Sequence, residues 1–312
     1  MAPAQITCSS GRLDLEQVAE VLALTQAAGD VDGAYPLSEH VVLHLRMGGD
    51  APAVHLFARA DGKLAGYAHV DTTDAVEGAS AELAVHPLYR RRGTGRALVK
   101  AAMQVAAERA DGRLRLWAHG DHPSASALAI SLGFRRTRVL FQMRRSLLAP
   151  LAEPVLPAGV RLRPFVPGED DTAWLALNAA AFANHPEQGK WTVDDLRIRI
   201  EEPWFDADGF LLAVDAAGRL VGFHWTKVHG GHASEDHAHE PIGEVYVLGV
   251  APDAKGAGLG AALTLAGLRY LRGRGLTQAM LYVDESNHRA VALYERLGFV
   301  RWTTDVSFQT GG

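Results

Sequence analysis

Cysteine is almost missing from this chain of 312 residues, in which Cys8 is the only thiol. One cysteine cannot form an intramolecular disulfide, and it argues against a zinc site built on cysteines. Long apolar runs are missing as well, since none approaches the roughly 18 residues that a membrane-spanning helix needs. The opening residues, MAPAQITCSSGR, lack the basic start and the apolar core of a signal peptide. We therefore expect a cytoplasmic protein that does not enter a membrane.

A strong excess of charge of either sign is also missing. The net charge is −5, which argues against nucleic acid as the main partner. The composition, 48% hydrophobic and 21% charged, is that of a globular protein, and 312 residues fit two domains of ordinary size better than one.

What the chain does contain is a repeat of itself. Two glycine turns, RRRGTG and KGAGLG, end at Gly95 and Gly260, and two Leu-Gly-Phe motifs end at Phe134 and Phe299; both pairs are 165 residues apart. The phrases GKLAGY at 62–67 and GRLVGF at 218–223 are 156 apart, so the second copy carries nine extra residues between this phrase and the turn. Two motifs with one offset indicate the duplication of a whole domain.

The boundary between the copies is predicted from proline. APLAEPVLPAG, residues 149–159, holds three prolines, which interrupt helices and central strands. We predict a first domain at 1–148, a linker at 149–159 and a second domain at 160–312. In each copy strands and helices follow one another without strict alternation, which predicts a mixed α/β fold with a mixed sheet.

The glycine turns are candidate anion sites. A helix entered through Gly-x-Gly exposes its first amide N–H groups, and the helix dipole adds positive potential there, so a pyrophosphate would fit. Arg90 and Lys255, at corresponding places before the glycines, supply further positive charge. The alternative is a tight turn that needs glycine for backbone reasons alone.

The turn, its preceding Val-x-Pro strand end and the later Leu-Gly-Phe together resemble the GNAT superfamily of acetyl-CoA-dependent N-acetyltransferases. The superfamily's pyrophosphate turn reads Q/R-x-x-G-x-G/A, which Arg90–Gly95 fits and Lys255–Gly260 departs from at its first position. The resemblance implies two tandem GNAT domains and acetyl-CoA as co-substrate. It implies acetyl-CoA contacts at Leu83, Ala84, Val85, Arg91, Arg92, Gly93, Thr94, Gly95 and Arg96 in the first copy, and at Leu248, Gly249, Val250, Lys255, Gly256, Ala257, Gly258, Leu259, Gly260, Ala261, Asn287, His288, Arg289, Ala290, Val291 and Ala292 in the second.

Longer phrases are similar to a two-domain branch of this superfamily that acetylates the cysteine amine of cysteinyl-glucosaminyl-inositol. These phrases are AFANHPEQGKWT, GFHWTKVH, GEVYVLGV and LYVDESNHRAVALYERLGF. The resemblance implies a small pseudodisaccharide amine as substrate and a monomer that needs no metal. It implies substrate contacts at Glu39, Glu187, Lys227, Glu244 and Tyr282.

The catalytic groups implied by the resemblance are Glu244, facing the acceptor amine directly or through one water, and Tyr294 as general acid beside the sulfur. Subtracting 165 gives Ala79 and Ala129, so the first copy lacks both groups and is expected to be chemically degenerate. Glu82 aligns with Val247, and in a regular strand it would face away from the side that Glu244 faces; a bulge would reverse this.

Three alternatives stay open. A tandem GNAT could act on another amine, such as an aminoglycoside or a peptide N-terminus, or the chain could be a non-catalytic acetyl-CoA sensor. A metal could be bound by the histidines of the second copy, although the transfer chemistry needs none: His224, His229, His232, His237 and His239.

Overall fold

The computed structural model describes residues 4–47, 53–73, 78–183, 188–229 and 241–310, without the side chains of Glu39, His40, Leu43 and Met47. These residues belong to two units. The first unit comprises Met1–Phe141 together with Thr303–Gly312, and the second comprises Gln142–Trp302.

The first copy contains six strands and four α-helices within the described part of the chain. They are β1 (Gln5–Ser10), α1 (Leu15–Asp32), α2 (Glu39–Met47), β2 (Val54–Ala60), β3 (Lys63–Asp71), β4 (Ala79–Val85), α3 (Thr94–Arg109), β5 (Leu114–Ala118), α4 (Pro123–Ser131) and β6 (Phe134–Ser146). The start of α1 is fixed by a capping box between Asp14 and Gln17, and its end by Gly33 in the left-handed conformation.

The second copy repeats this order. Its elements are β7 (Arg161–Pro164), α5 (Asp171–Ala181), α6 (Val193–Ile200), β8 (Phe210–Val214), β9 (Leu220–His229), β10 (Ile242–Val250), α7 (Leu259–Gly273), β11 (Gln278–Asp284), α8 (His288–Arg296) and β12 (Val300–Thr310). The predicted linker, 149–159, has no helix or strand and lies within the second unit.

Each unit holds a mixed sheet, which confirms the predicted mixed α/β fold. In the first unit the strand order is β1-β2-β3-β4-β5-β12-β6, and in the second it is β6-β11-β10-β9-β8-β7. The pairs β4–β5 and β10–β11 are parallel, whereas β1 to β4 and β7 to β10 pair antiparallel.

The final strand of each copy does not stay with the rest of that copy. In β12, Val306 pairs with Ala118 of β5 within the first unit. The last residues of β6 belong to the second unit, where the amide of Leu147 donates to the carbonyl of Thr277 at 2.8 Å. Each unit therefore contains part of the last strand of the other copy.

The core of the second unit is aromatic on one face of the sheet. Trp174 of α5 packs edge-on against Phe223 and Trp225 of β9, and the ring of Phe210 stacks on Trp225 with centroids 4.4 Å apart. Helix α7 covers the other face. Within the described residues, no helix combines the length and the apolar character needed to cross a bilayer.

Candidate active site

Strands β10 and β11 diverge in the middle of the second unit. Their described pairing comprises Gly243 with Ala279 and Glu244 with Met280, whereas β10 continues to Val250. The amides of β10 beyond Glu244 that point toward β11 therefore face an opening rather than a neighbouring strand. Leu248, Gly249 and Val250, the predicted thioester contacts, lie in this stretch.

The first unit has the same opening between β4 and β5. Their pairing runs from Ala79 with Leu114 to Glu82 with Trp117, and β4 continues to Val85. Leu83, Ala84 and Val85 correspond to the stretch of β10 that borders the opening of the second unit.

The glycine turns after β4 and β10 share one backbone conformation. In the second unit Gly256 and Gly258 have φ of +96° and +80°, and α7 begins at the next residue. In the first unit Arg91 and Gly93, 165 residues earlier, have φ of +61° and +86°. Positive φ favours glycine, so the turn imposes its geometry even on an arginine. Both turns end by presenting helix N-terminal amides, as an anion site requires.

The charges beside the two turns differ. Arg90 is not available to a ligand, because Asp32 holds its guanidinium with two hydrogen bonds of 2.6 and 2.7 Å and Val85 accepts a third. Arg91 and Arg92 are exposed, and so is Lys255 in the second unit. The expected positive charge at the first turn therefore comes from the later arginines and not from Arg90.

The remaining predicted acetyl-CoA contacts surround these turns. Thr94, Gly95 and Arg96 form the first turn of α3, and Leu259, Gly260 and Ala261 form that of α7. Asn287 caps α8 by accepting from the amide of Ala290 at 3.2 Å. His288 and Arg289 are exposed at the same helix end.

Gly249 of β10 packs directly against the aromatic core. A Cβ at this position would lie 2.5 Å from the ring of Phe223. The bulge of β10 lies at Tyr246, between Val245 and Val247, and does not include Gly249. Packing against Phe223 is therefore by itself a sufficient reason for glycine at this position, and the predicted acetyl-CoA contact of Gly249 stays a prediction.

Glu244 lies where β10 and β11 separate. Its side chain is only 9% exposed, and His229 hydrogen-bonds its Oε2 through Nε2 at 2.7 Å. Glu244 pairs with Lys227 across β9, and the bulge at Tyr246 shifts the alternation so that Glu244 and Val247 face the same side. This is the side covered by α5 and α6, because Trp225, opposite Val247, packs on Trp174.

The bulge corrects the expectation for Glu82. Strands β3 and β4 pair without a bulge, and Glu82 lies opposite His69 on the side of α1 and α2. Glu82 therefore lies on the sheet face that corresponds to the face of Glu244. The prediction that Glu82 faces the other way is wrong, because it assumed regular alternation along β10. Glu82 is occupied, however: it accepts from Ser38 Oγ at 2.7 Å and lies 3.5 Å from His119.

His119 and its two carboxylates form a buried charged cluster in the first unit. His119 contacts Asp305 at 3.0 Å as well as Glu82. Burial would lower the pKa of His119, but its hydrogen bonds to Asp305 and Glu82 outweigh burial and raise the pKa to about 10. Burial would likewise raise the pKa of Glu82, yet the hydrogen bonds from His119 and Ser38 hold it low. Glu82 is thus committed to an ion pair rather than available as a base.

Lys227 is held among aromatic rings. It is 6% exposed, and its Nζ lies 4.6 Å from the ring centroid of Trp204 and 5.6 Å from that of Tyr246. The hydroxyl of Tyr246 accepts from Arg199 Nε at 2.8 Å. Cation–π contacts of this kind stabilise a desolvated ammonium, so a positive charge is fixed across the strand pair from Glu244.

The other predicted residues fall into three groups. Tyr282 lies on β11 two residues after Met280, the partner of Glu244, so it shares the face of Glu244. Tyr294 lies on α8, is 8% exposed and packs edge-on against Phe299; burial raises its pKa to about 12. Glu187 lies outside the described residues, and Glu39 begins α2 without a described side chain.

The histidines do not form a common site among the described residues. His224 is buried on the α7 side, where its Nδ1 lies 2.7 Å from the carbonyl of Leu263. His229 contacts Glu244 on the opposite side, and His232, His237 and His239 lie outside the described residues. In the described ranges no cluster of three histidine, cysteine or acidic residues has the geometry of a metal site.

The sequence prediction did not identify three contacts of this site. His229 follows Lys227 by two residues, a spacing that places both side chains on one face of a strand. This spacing could have indicated that His229 lies near Glu244. Arg199 and Gln142 come from other parts of the chain, and no local pattern connects them to Tyr246 and Tyr282.

Known proteins resemble this chain over almost its whole length. Residues 22–134 and 174–299 each match the acetyltransferase (GNAT) family, and these matches end 165 residues apart, at the offset of the repeat. A protein from Salinispora arenicola described as mycothiol acetyltransferase is 63% identical over 96% of this chain and 94% of its own. One of the same description from Acidothermus cellulolyticus is 57% identical over 97% of this chain and 94% of its own.

A solved structure shows the same fold. It is described as a tandem GNAT protein from the clavulanic acid biosynthesis pathway, without acetyl-CoA, and is 23% identical with a TM-score of 0.74 over 98% of both chains. Together with the double family match, it confirms the predicted tandem arrangement.

Proposed function

The chain belongs to the acetyltransferase (GNAT) family, and we propose that it transfers the acetyl group of acetyl-CoA to the cysteinyl amine of cysteinyl-glucosaminyl-inositol, the reaction that yields mycothiol. The observation that carries this proposal is the position of Glu244, a buried carboxylate at the last residue pair before β10 and β11 separate. The names of the relatives support the choice of acceptor.

The opening beside β10 suits an acyl thioester. The thioester supplies the acetyl group, and the free amides of β10 near Leu248 to Val250 can donate to its carbonyl oxygen, where negative charge develops. The turn at Gly256 and Gly258 would hold the pyrophosphate on the N-terminus of α7.

Glu244 accepts the proton that the amine must lose before it attacks the carbonyl carbon. Lys227 assists without a proton transfer of its own: its fixed positive charge opposite Glu244 disfavours an ammonium nearby and so favours the neutral, nucleophilic amine. His229 fixes the orientation of the carboxylate through the hydrogen bond to Oε2.

Tyr294 acts at the other end of the reaction, where the bond between the carbonyl carbon and the sulfur breaks. With a pKa raised to about 12 by burial, its phenol stays protonated throughout the neutral range and so has a proton to donate. It therefore provides the proton or hydrogen bond that the departing thiolate needs.

The first unit serves a different purpose in this proposal. It has the opening and the turn, so it is equipped to bind acetyl-CoA through Leu83–Val85 and Arg91–Arg96. It lacks a free carboxylate on the strand and a phenol at Ala129. A monomer in the cytoplasm, acting on a small molecule without metal, membrane or nucleic acid, remains the prediction.

The test compares acceptors directly. The purified protein is given acetyl-CoA with cysteinyl-glucosaminyl-inositol, an aminoglycoside or a peptide N-terminus, and the N-acetylated product is measured by mass spectrometry. We expect product from the first acceptor alone and a large loss in Tyr294→Phe. Acetylation of another amine at a higher kcat/KM would refute the acceptor, and binding of acetyl-CoA without any transfer would favour a sensor.

A further inference from the structure

Four side chains of the second unit form a row beside the proposed acceptor site. Tyr282 of β11 accepts a hydrogen bond from Gln142 Nε2 at 2.8 Å, and Gln142 Oε1 accepts one from Arg144 Nε at 3.1 Å. The guanidinium of Arg144 lies over the ring of Trp302, 4.6 Å from its centroid. We call Gln142, Arg144 and Trp302 the outer row.

The outer row lies on the same face of the sheet as Glu244. Tyr282 shares that face, and its hydrogen bond brings Gln142 onto it. Arg144 follows Gln142 by two residues on β6, and Trp302 of β12, the next strand, lies beneath its guanidinium. Neighbouring strands are about 4.8 Å apart, so β6 lies roughly 10 Å from β10, a distance suited to the far end of an elongated acceptor.

The exposure of Trp302 is not explained by packing. Its side chain is 63% exposed, so it adds little to the core, yet Arg144 holds its ring in place and Gln142 holds Arg144. Gln142 itself is only 8% exposed. A rigid, solvent-facing aromatic ring beside a fixed guanidinium and an amide is the arrangement that recognises a polyhydroxylated ring, whose C–H face packs on the indole while its hydroxyls hydrogen-bond the polar groups.

We propose that the outer row is the polyol subsite of the acceptor site and holds the acceptor ring farthest from the reacting amine. This inference rests on the proposed function, because that function supplies an acceptor with a terminal inositol. In this arrangement Glu244 and Lys227 act on the amine, Tyr282 contacts the middle of the acceptor, and Trp302 with Arg144 selects the end.

The experiment uses two acceptors that share the amine and differ at the far end. One is cysteinyl-glucosaminyl-inositol, and the other is cysteinyl-glucosamine, which lacks the inositol. Steady-state acetyl transfer is measured for the wild type, Trp302→Ala, Trp302→Phe and Arg301→Ala. Arg301 is the matched control, since it neighbours Trp302 on β12 but points to the opposite face, with Glu295 3.7 Å from its guanidinium.

We expect Trp302→Ala to lower kcat/KM for the complete acceptor about tenfold, the effect of losing one stacked ring, mainly through KM. The truncated acceptor should change less than about twofold, Trp302→Phe should restore most of the loss, and Arg301→Ala should resemble the wild type. An equal loss with both acceptors, no loss with either, or a wild type that does not prefer the complete acceptor would overturn the subsite alone. A wild type that acetylates neither acceptor would overturn the proposed function and the subsite together.

Discussion

The contact between His229 and Glu244 gives a sharp prediction about the reaction. The histidine donates to a carboxylate that is 9% exposed, and the 2.7 Å separation is that of a strong hydrogen bond to a charged group. His229→Leu removes this donor and leaves the carboxylate free to turn toward Lys227, its partner across the strands.

The size of the effect follows from the burial of the carboxylate. A hydrogen bond to a charged group contributes about 1.5–3 kcal/mol, and each 1.4 kcal/mol changes a rate constant about tenfold. If that orientation is needed when the amine loses its proton, His229→Leu should lower kcat/KM for the acceptor about 10- to 100-fold.

The assay separates orientation from folding. Acetyl transfer is measured at saturating acetyl-CoA for the wild type, His229→Leu and His229→Gln, with the KM for acetyl-CoA as an internal control that should not change. Glutamine keeps an N–H donor, so it should recover most of the activity. Full activity in His229→Leu, or an equal loss in the leucine and glutamine variants, would refute the orienting role of this histidine.

Two further predictions concern stability and cofactor binding. Burial lowers the pKa of His224 to about 4, so its neutral form favours folding above about pH 6.5, and this contribution is lost as the pH falls. Burial lowers the pKa of His55 and of His69 as well, so the wild type loses stability between pH 7 and pH 5 through several histidines. In urea unfolding followed by tryptophan fluorescence, the loss between pH 7 and pH 5 should be about 2 kcal/mol smaller in His224→Gln than in the wild type. Gly258 and Gly93 occupy aligned positions with positive φ, and a new methyl group at either position would meet open space. Replacing either glycine by alanine therefore introduces the same backbone strain, about 1–2 kcal/mol. In steady-state assays only Gly258→Ala should raise the KM for acetyl-CoA.

The features that could be predicted from the sequence are those that depend on local chemistry. The constant offset of the repeat identifies both turns. Glycines at these positions are typical of a tight turn with positive φ, which Gly256 and Gly258 adopt. Hydrophobic patterning was enough for the mixed α/β order, because each strand and helix buries its own apolar face.

The features that could not be predicted depend on distant partners. The bulge at Tyr246 adds one residue to β10 relative to β9, and alternation along β10 alone does not reveal it. The division of β6 and β12 between the units depends on which strand completes which sheet, so a boundary predicted from prolines does not reveal it.

Roles carried over by motif depend on the same distant contacts. Arg90 occupies the motif position of a ligand contact, but Asp32, far away in the sequence, neutralises it. Glu82 has the right residue type and the right face, but Ser38 and His119 occupy it. In both cases the residue type was visible in the sequence and its partner was not.

Glu244, the carboxylate at the opening of the second unit, is in this proposal the general base of the acetyl transfer. The most direct measurement is kcat for acetylation of cysteinyl-glucosaminyl-inositol by Glu244→Gln and by Glu82→Gln, with circular dichroism to verify that both variants are folded. Glu82 is the buried carboxylate on the corresponding sheet face of the first unit. We predict a loss of about 100-fold or more in Glu244→Gln, as expected for removal of a general base, and nearly normal turnover in Glu82→Gln. Normal turnover in Glu244→Gln, or a comparable loss in a folded Glu82→Gln, would contradict the account.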